Sequence, residues 1–166
     1  MMDNFSYLSI GSNSGDRINN IKHLFKEFEN SDVNVISASS IYESEPLNSL
    51  SNKNFYNLVI KVETTLDLLN FFSFTKSIEL KIGREVKNNP DIPRVIDIDI
   101  LVFNNDIYNS EFLIVPHSRI HERKFVLLPW AEISDKYILP RYNKSVNYLL
   151  NNVKDTSKIC KLETTL

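Results

Sequence analysis

"RVIDIDILVF", residues 94–103, alternates acid and isoleucine with a strict period of two. In an extended strand, side chains two apart share a face, so Asp97 and Asp99 point one way and Ile96, Ile98 and Ile100 the other. The two carboxylates then stand about 7 Å apart by backbone rise. Such a pair is a modest repulsion in water and an attractor of cations. Taken alone, it fits an amphipathic strand with a solvated acidic face as well as it fits a metal-binding edge. The surrounding segments decide which fold could use it.

Upstream, "FSYLSI" alternates as a strand and "GSNSGDR" breaks it, with Gly11 read as a turn and Asp16 as the cap of a helix. That helix carries Ile18, Ile21, Leu24, Phe25 and Phe28 on one stripe. "VNVISASSIY" is extended and β-branched, and a polar loop follows it to about Asn54. "FYNLVIKVET" is a third strand, with Tyr56, Leu58, Ile60 and Val62 on an apolar face and Phe55, Asn57, Lys61 and Glu63 on the other. An aromatic beside an amide on a polar face is not what a core requires. The stretch "LDLLNFFSFTKSIELKIG" reads as a second helix closed by Gly83, and "REVKNNPDIPR" leads into the acidic strand. The order β-α-β-β-α-β predicts an α+β, ferredoxin-like sandwich: two helices on one face of a mainly antiparallel sheet, the other face free for chemistry. Further on, "FLIVP" reads as a short strand, "ERKFVLLPWAEI" as a helical segment closed off around Pro129, and "NKSVNYLLNNV" as a last helix. The tail after Val153 carries little pattern.

A chain of 166 residues, 42% hydrophobic, with a net charge of -2, is expected to be a single domain spanning 1–166. Without a basic excess, neither nucleic acid nor a membrane surface is an expected partner. The start shows no signal-peptide pattern, and Cys160, the single cysteine, can form neither an internal disulfide nor a Cys-based zinc site. A monomer in a reducing cytoplasm is the expectation.

The cations are placed unevenly. Arg84, Lys87 and Arg94 flank the acidic strand, and His117, Arg119, His121, Arg123 and Lys124 crowd "PHSRIHERKF". A carboxylate pair among cations makes electrostatic sense if a magnesium-bound polyphosphate lies between them, because Mg²⁺ takes one or two carboxylates plus phosphate oxygens and Arg forks bind the rest. Surface salt bridges are the competing reading of each cation. No P-loop is present. His117 and His121, four apart, lack the acidic partner of a helical zinc site, and Pro116 precedes the first. The residues leave open a protein that binds a metal-bound polyphosphate, a non-catalytic ferredoxin-like binding module, and a two-metal nuclease or phosphohydrolase.

The blocks "IGSNSGDR", "YESEPL", "NFYNLVIKVET", "IELKIGR", "PRVIDIDILVF" and "VPHSRIHERKFVLLPWAEI" together resemble the hydroxymethyl-dihydropterin pyrophosphokinases of folate synthesis, in that family's order, to about residue 140. The resemblance implies transfer of the terminal pyrophosphate of MgATP to the hydroxymethyl oxygen of 6-hydroxymethyl-7,8-dihydropterin, with release of AMP. It implies that Asp97 and Asp99 hold two Mg²⁺ ions, with Arg84 and Arg94 beside them in the catalytic set. It places Glu79, Arg84, Arg94, Ile100, His117 and Arg123 around ATP, with a helix-surface acid the other reading of Glu79. It places Ser44, Glu45, Leu47, Phe55, Asn57 and Phe125 around the pterin, the two aromatics sandwiching the ring and the amide pairing with its edge. The chain departs from the family's common pattern at Val86, Pro90 and Asp91, at Ser118 and at Glu45. The polar loops 48–54 and 85–93 are expected to close over the substrates.

Overall fold

The computed structural model describes residues 4–46, 53–84 and 93–164. Its main sheet is built from β1 (Asn4–Ser12), β2 (Val33–Ala38), β3 (Tyr42–Ser44), β4 (Phe55–Thr64), β5 (Asp97–Phe103) and a late strand, β10 (Ile159–Lys161). Two ribbons add β6 (Tyr108–Asn109) to β7 (Ile114–Val115), and β8 (Ile138–Leu139) to β9 (Lys144–Ser145). Four helices complete the fold: α1 (Arg17–Glu29), α2 (Leu68–Ile82), α3 (Lys124–Ser134) and α4 (Val146–Asn152).

The strand order β10-β3-β4-β1-β5, with β2 also on β4, and antiparallel pairing throughout are the expected split arrangement. Local signals set the helix ends. Asp16 and Asp67 accept the amides of Asn19 and Asn70 at the starts of α1 and α2, and Gly83 ends α2 at φ 110°, a conformation open to glycine. The reading of "VNVISASSIY" as one strand needs correction. The chain breaks at Ser39, whose amide reaches the Val59 carbonyl and whose hydroxyl accepts the Val59 amide, and β2 and β3 then pair with successive parts of β4.

Strand parity divides the apolar residues between two cores. Leu8, Ile10, Leu58, Ile60, Ile98 and Ile100 pack under α1 and α2 with Ile21, Leu24, Phe28, Phe71 and Ile78. Tyr7, Val59, Leu101 and Val102 pack on the opposite face with Val126, Leu127, Trp130, Val146 and Leu149. The second face is therefore not free, as the sequence suggested: α3 and α4 cover one half. A register shift between Tyr7 and Leu8 against β5 lets both Leu101 and Val102 turn toward α3. Helix α3 also runs through Pro129 to Ser134, contrary to the expected break. Proline costs a helix interior about 3 kcal/mol, yet Val126, Leu127, Pro129 and Trp130 are all buried along this helix, and side-chain burial at roughly 1.5–3 kcal/mol for each large residue outweighs it.

Candidate active site

The half of the second face that α3 and α4 do not cover holds the candidate site. Moving away from α3 on the three central strands, Tyr7, Val59 and Leu101 give way to Ser9, Gly11, Asn57, Phe55, Asp97 and Asp99. Across the strands Gly11 stands opposite Asn57 on one side and Asp97 on the other, and Ser9 stands opposite Asp99. One continuous face thus changes from core to polar floor, and the side-chain alternation of the central strands places both functions in register.

Asp97 is the more enclosed carboxylate, 15% exposed, and is held by Arg84 at 2.6 Å and by Arg94. Burial alone would raise its pKa, but Arg94 and Arg84 outweigh it and keep the carboxyl below the usual range. Arg94 is positioned through its backbone, whose amide donates to Asn13 Oδ1 at 2.6 Å while its carbonyl accepts the Asn13 amide at 3.0 Å. The "GSN" turn after β1 therefore braces the arginine. Asp99, 31% exposed, faces Arg123 at 3.1 Å and His117 Nε2 at 3.8 Å. His117 Nδ1 accepts the Arg119 amide at 3.2 Å. Burial pushes this imidazole below its usual pKa despite Asp99, with Arg123 and Arg119 adding to the effect.

Glu79 is neither a surface acid nor open to a ligand. At 2% exposure, its Oε1 accepts the Ile98 amide at 2.6 Å, Lys76 at 3.0 Å and Arg84 at 2.5 Å. Burial raises its pKa, against the pull of Lys76, the Ile98 amide and Arg84. It ties α2 to β5 and presents Arg84 to Asp97. The Ile100 side chain, 4% exposed, lies in the first core on the opposite sheet face from the aspartates, which leaves only its backbone for the site.

On the other side of Gly11, Asn57 is buried and its Nδ2 donates to Ser44 Oγ at 2.8 Å. Phe55 and Phe125 are half-buried, and the Arg123 guanidinium lies 5.7 Å from the Phe125 ring centre. Glu45 is exposed just beyond β3, and Leu47 lies outside the described residues, as do Val86, Lys87, Pro90, Asp91 and nearly all of both candidate lid loops.

Gly11 was misjudged in the sequence, where it read as a turn; it is the floor of the site. A Cβ there would meet Asn57 Oδ1 at 3.5 Å, Phe55 at 3.8 Å and Asp97 Cβ at 4.0 Å. Those are ordinary contacts, so the fold accepts Gly11→Ala while the slot loses the volume of a methyl. We expect the KM of the flat-ring substrate proposed below to rise about tenfold or more, as for one methylene in a fitted pocket. The melting temperature should hold within a few degrees; an unchanged KM in steady-state assays would show that the substrate does not rest on Gly11. Arg17 stacks on Tyr56 at 3.6 Å and bonds Glu43 at 3.1 Å and the Asn54 carbonyl at 2.8 Å, a role that its place in the sequence does not signal.

Among the described residues no group of three or more His, Cys, Asp or Glu side chains could hold a metal ion. Two carboxylates nevertheless fit Mg²⁺, a hard cation that draws its remaining oxygens from phosphate and water. A second observation agrees with a polyphosphate: Arg123 Nε is buried and finds no acceptor among the described residues.

A ferredoxin-like sheet bearing a carboxylate pair among arginines, beside an amide-lined slot, is the build of a group-transfer enzyme. The chain belongs to the 7,8-dihydro-6-hydroxymethylpterin-pyrophosphokinase family, whose model matches residues 7–135, and is a transferase of folate biosynthesis. The 2-amino-4-hydroxy-6-hydroxymethyldihydropteridine pyrophosphokinase of Bacillus subtilis is 38% identical over 135 residues, covering 80% of this chain and 79% of that protein. The enzyme of the same name from Helicobacter pylori is 38% identical over 126 residues, 75% of this chain and 77% of that one. A folic acid synthesis protein of Dictyostelium discoideum is 38% identical over 157 residues, 95% of this chain, although the chain spans only 24% of that longer protein. In fold, the chain is similar to the wild-type HPPK-DHPS of Plasmodium falciparum with pterin and p-hydroxybenzoate, at TM-score 0.69 and 18% identity over 89% of this chain and 42% of that one.

Proposed function

We propose that the chain, acting as one monomeric domain in the cytoplasm, transfers the terminal pyrophosphate of MgATP to the hydroxymethyl oxygen of 6-hydroxymethyl-7,8-dihydropterin and releases AMP. The observation that carries this reading is the adjacency across Gly11 of two unlike halves, Asn57 with Ser44 on one side and Asp97 with Arg84 and Arg94 on the other. A flat heterocycle and a polyphosphate would meet there.

In this reading Asp97 and Asp99 would hold two Mg²⁺ ions, which would supply charge neutralisation and orientation of the triphosphate. The arginines now paired with those carboxylates turn to phosphate oxygens. Arg84 and Arg94 flank the β-phosphorus, where negative charge is spread in the transition state. Arg123, through its unpaired Nε, and His117 line the remaining phosphates. Glu79 acts through Arg84, and Ile100 through its backbone. Asn57 pairs with the donor and acceptor edge of the pterin, oriented by Ser44, while Phe55 and Phe125 stack on the ring and Glu45 and Leu47 border it. The hydroxymethyl oxygen attacks the β-phosphorus in line, the bond from that phosphorus to the α,β-bridging oxygen breaks, AMP leaves with that oxygen, and the hydroxyl proton passes to water. Holding the reacting atoms together supplies most of the rate, so no strong base is needed. Loops 48–54 and 85–93 close to exclude water.

The test is the identity of the nucleotide product. Protein, Mg²⁺, ATP and hydroxymethyl-dihydropterin should yield AMP and the pterin diphosphate in equal amounts, with none formed in excess EDTA. ADP as product, or ATP breakdown that ignores the pterin, would remove the proposal.

A further inference from the structure

Helix α3 begins with an unsolved problem. Its first amides need acceptors, and the residue in the capping position, Arg123, provides no side-chain hydrogen bond. The acceptor comes from thirty-one residues away: Asp155 Oδ2 takes the Lys124 amide at 3.0 Å, while its Oδ1 takes the Ser157 amide at 2.9 Å. A carboxylate at this point also favours the helix dipole. Four residues later the same tail becomes β10, which adds to the sheet edge in the register Ile159 to Ser44, Cys160 to Glu43 and Lys161 to Tyr42. The Leu162 amide continues the pairing to the Ile41 carbonyl at 2.9 Å, and Lys161 joins Glu132 of α3, which itself holds Ser40 and Tyr42.

Both anchoring points adjoin residues of the candidate site. The capped end of α3 carries Arg123 and Phe125; β3 carries Ser44, which orients Asn57. Four residues reach at most about 14 Å, so the tail sets an upper limit on the separation between the two walls. The segment lies beyond residue 135, where the family match ends.

We propose that residues 153–162 are a positioning strap that fixes the two walls of the pterin slot against one another, Asp155 acting on the Arg123–Phe125 wall and β10 on the Ser44–Asn57 wall. The inference rests on the proposed function for its substrate, but not for its geometry.

Two variants separate the two attachments: Asp155→Ala, and a chain ending after Ser157, which keeps the cap and lacks β10. Amide hydrogen exchange on the free protein should quicken at 124–126 in the first and at 42–44 in the second. In steady-state assays the shortened chain should raise the KM for hydroxymethyl-dihydropterin about tenfold and leave that for ATP within twofold. Asp155→Ala should raise both KM values by roughly three- to tenfold, with kcat nearly constant, and Asp155→Asn, which keeps one acceptor oxygen for the Lys124 amide, should recover part of the loss. KM values within twofold of the parent in both variants, or exchange that quickens across the whole sheet, would overturn the strap. If the parent chain makes no pterin-dependent AMP, the functional reading fails and the exchange experiment still judges the strap; a shortened chain that does not fold leaves Asp155→Ala and Asp155→Asn to decide it.

Discussion

Replacing Asp97 by alanine lowers kcat by roughly 10³-fold or more, the largest effect expected from any one side chain of the site. If Asp97 holds Mg²⁺ as proposed, its loss withdraws several kcal/mol of transition-state stabilisation, at about 1.36 kcal/mol per decade of rate. The carboxylate is also the shared partner of Arg84 and Arg94, so its loss frees two cations to settle elsewhere on the phosphates. Stability should suffer less than on loss of Glu79, because both arginines can rehydrate, whereas Glu79 also accepts the buried Ile98 amide. The measurement is AMP formation at saturating MgATP and pterin, alongside a thermal melt. A variant that melts like the parent and turns over within tenfold of it would detach Asp97 from the chemistry. Asp97→Asn, isosteric and neutral, should be almost as slow, which would assign the loss to charge and not to shape.

Glu79→Ala should produce the largest loss of stability. The carboxylate is 2% exposed and serves three donors at once, the Ile98 amide, Lys76 and Arg84. Removing one member of a buried charged cluster strands the others, at a cost of about 3 kcal/mol, the low end of the usual range since both cations are partly exposed. For a chain of this size that corresponds to a fall in melting temperature of roughly 6–12 °C. Glu79→Gln keeps an acceptor for the Ile98 amide and should lose about half as much. Activity should drop in both, since Arg84 loses its anchor on α2. A melt within 2 °C of the parent for Glu79→Ala would mean that the cluster contributes nothing to the fold.

The sequence was legible where one residue's neighbours along the chain determine its environment. Alternation placed Asp97 and Asp99 on one face and the isoleucines on the other, and Asp16 and Gly83 marked helix ends. It was illegible where distant segments meet. Gly11 looked like a turn because a glycine after an apolar run has that meaning locally; only its position between Asn57 and Asp97 on neighbouring strands makes it a floor. Glu79 read as either a nucleotide neighbour or a helix-surface acid, because helical spacing alone does not reveal an amide of β5 waiting above it. Pro129 looked like a stop because its local cost is plain and the burial of Trp130 is not.

By itself, then, the order of residues determined the split β-α-β-β-α-β arrangement, the face carrying the acids and, through the six quoted blocks, the family. Periodicity and capping act over a few residues and survive in a linear string. Tertiary structure decided how the second sheet face is shared between core and site, which cation holds which carboxylate, and that the weakly patterned tail returns to cap α3 and extend the sheet at β3. Those outcomes depend on pairings across tens of residues, whose register is fixed only when the apolar faces of all the strands are buried together.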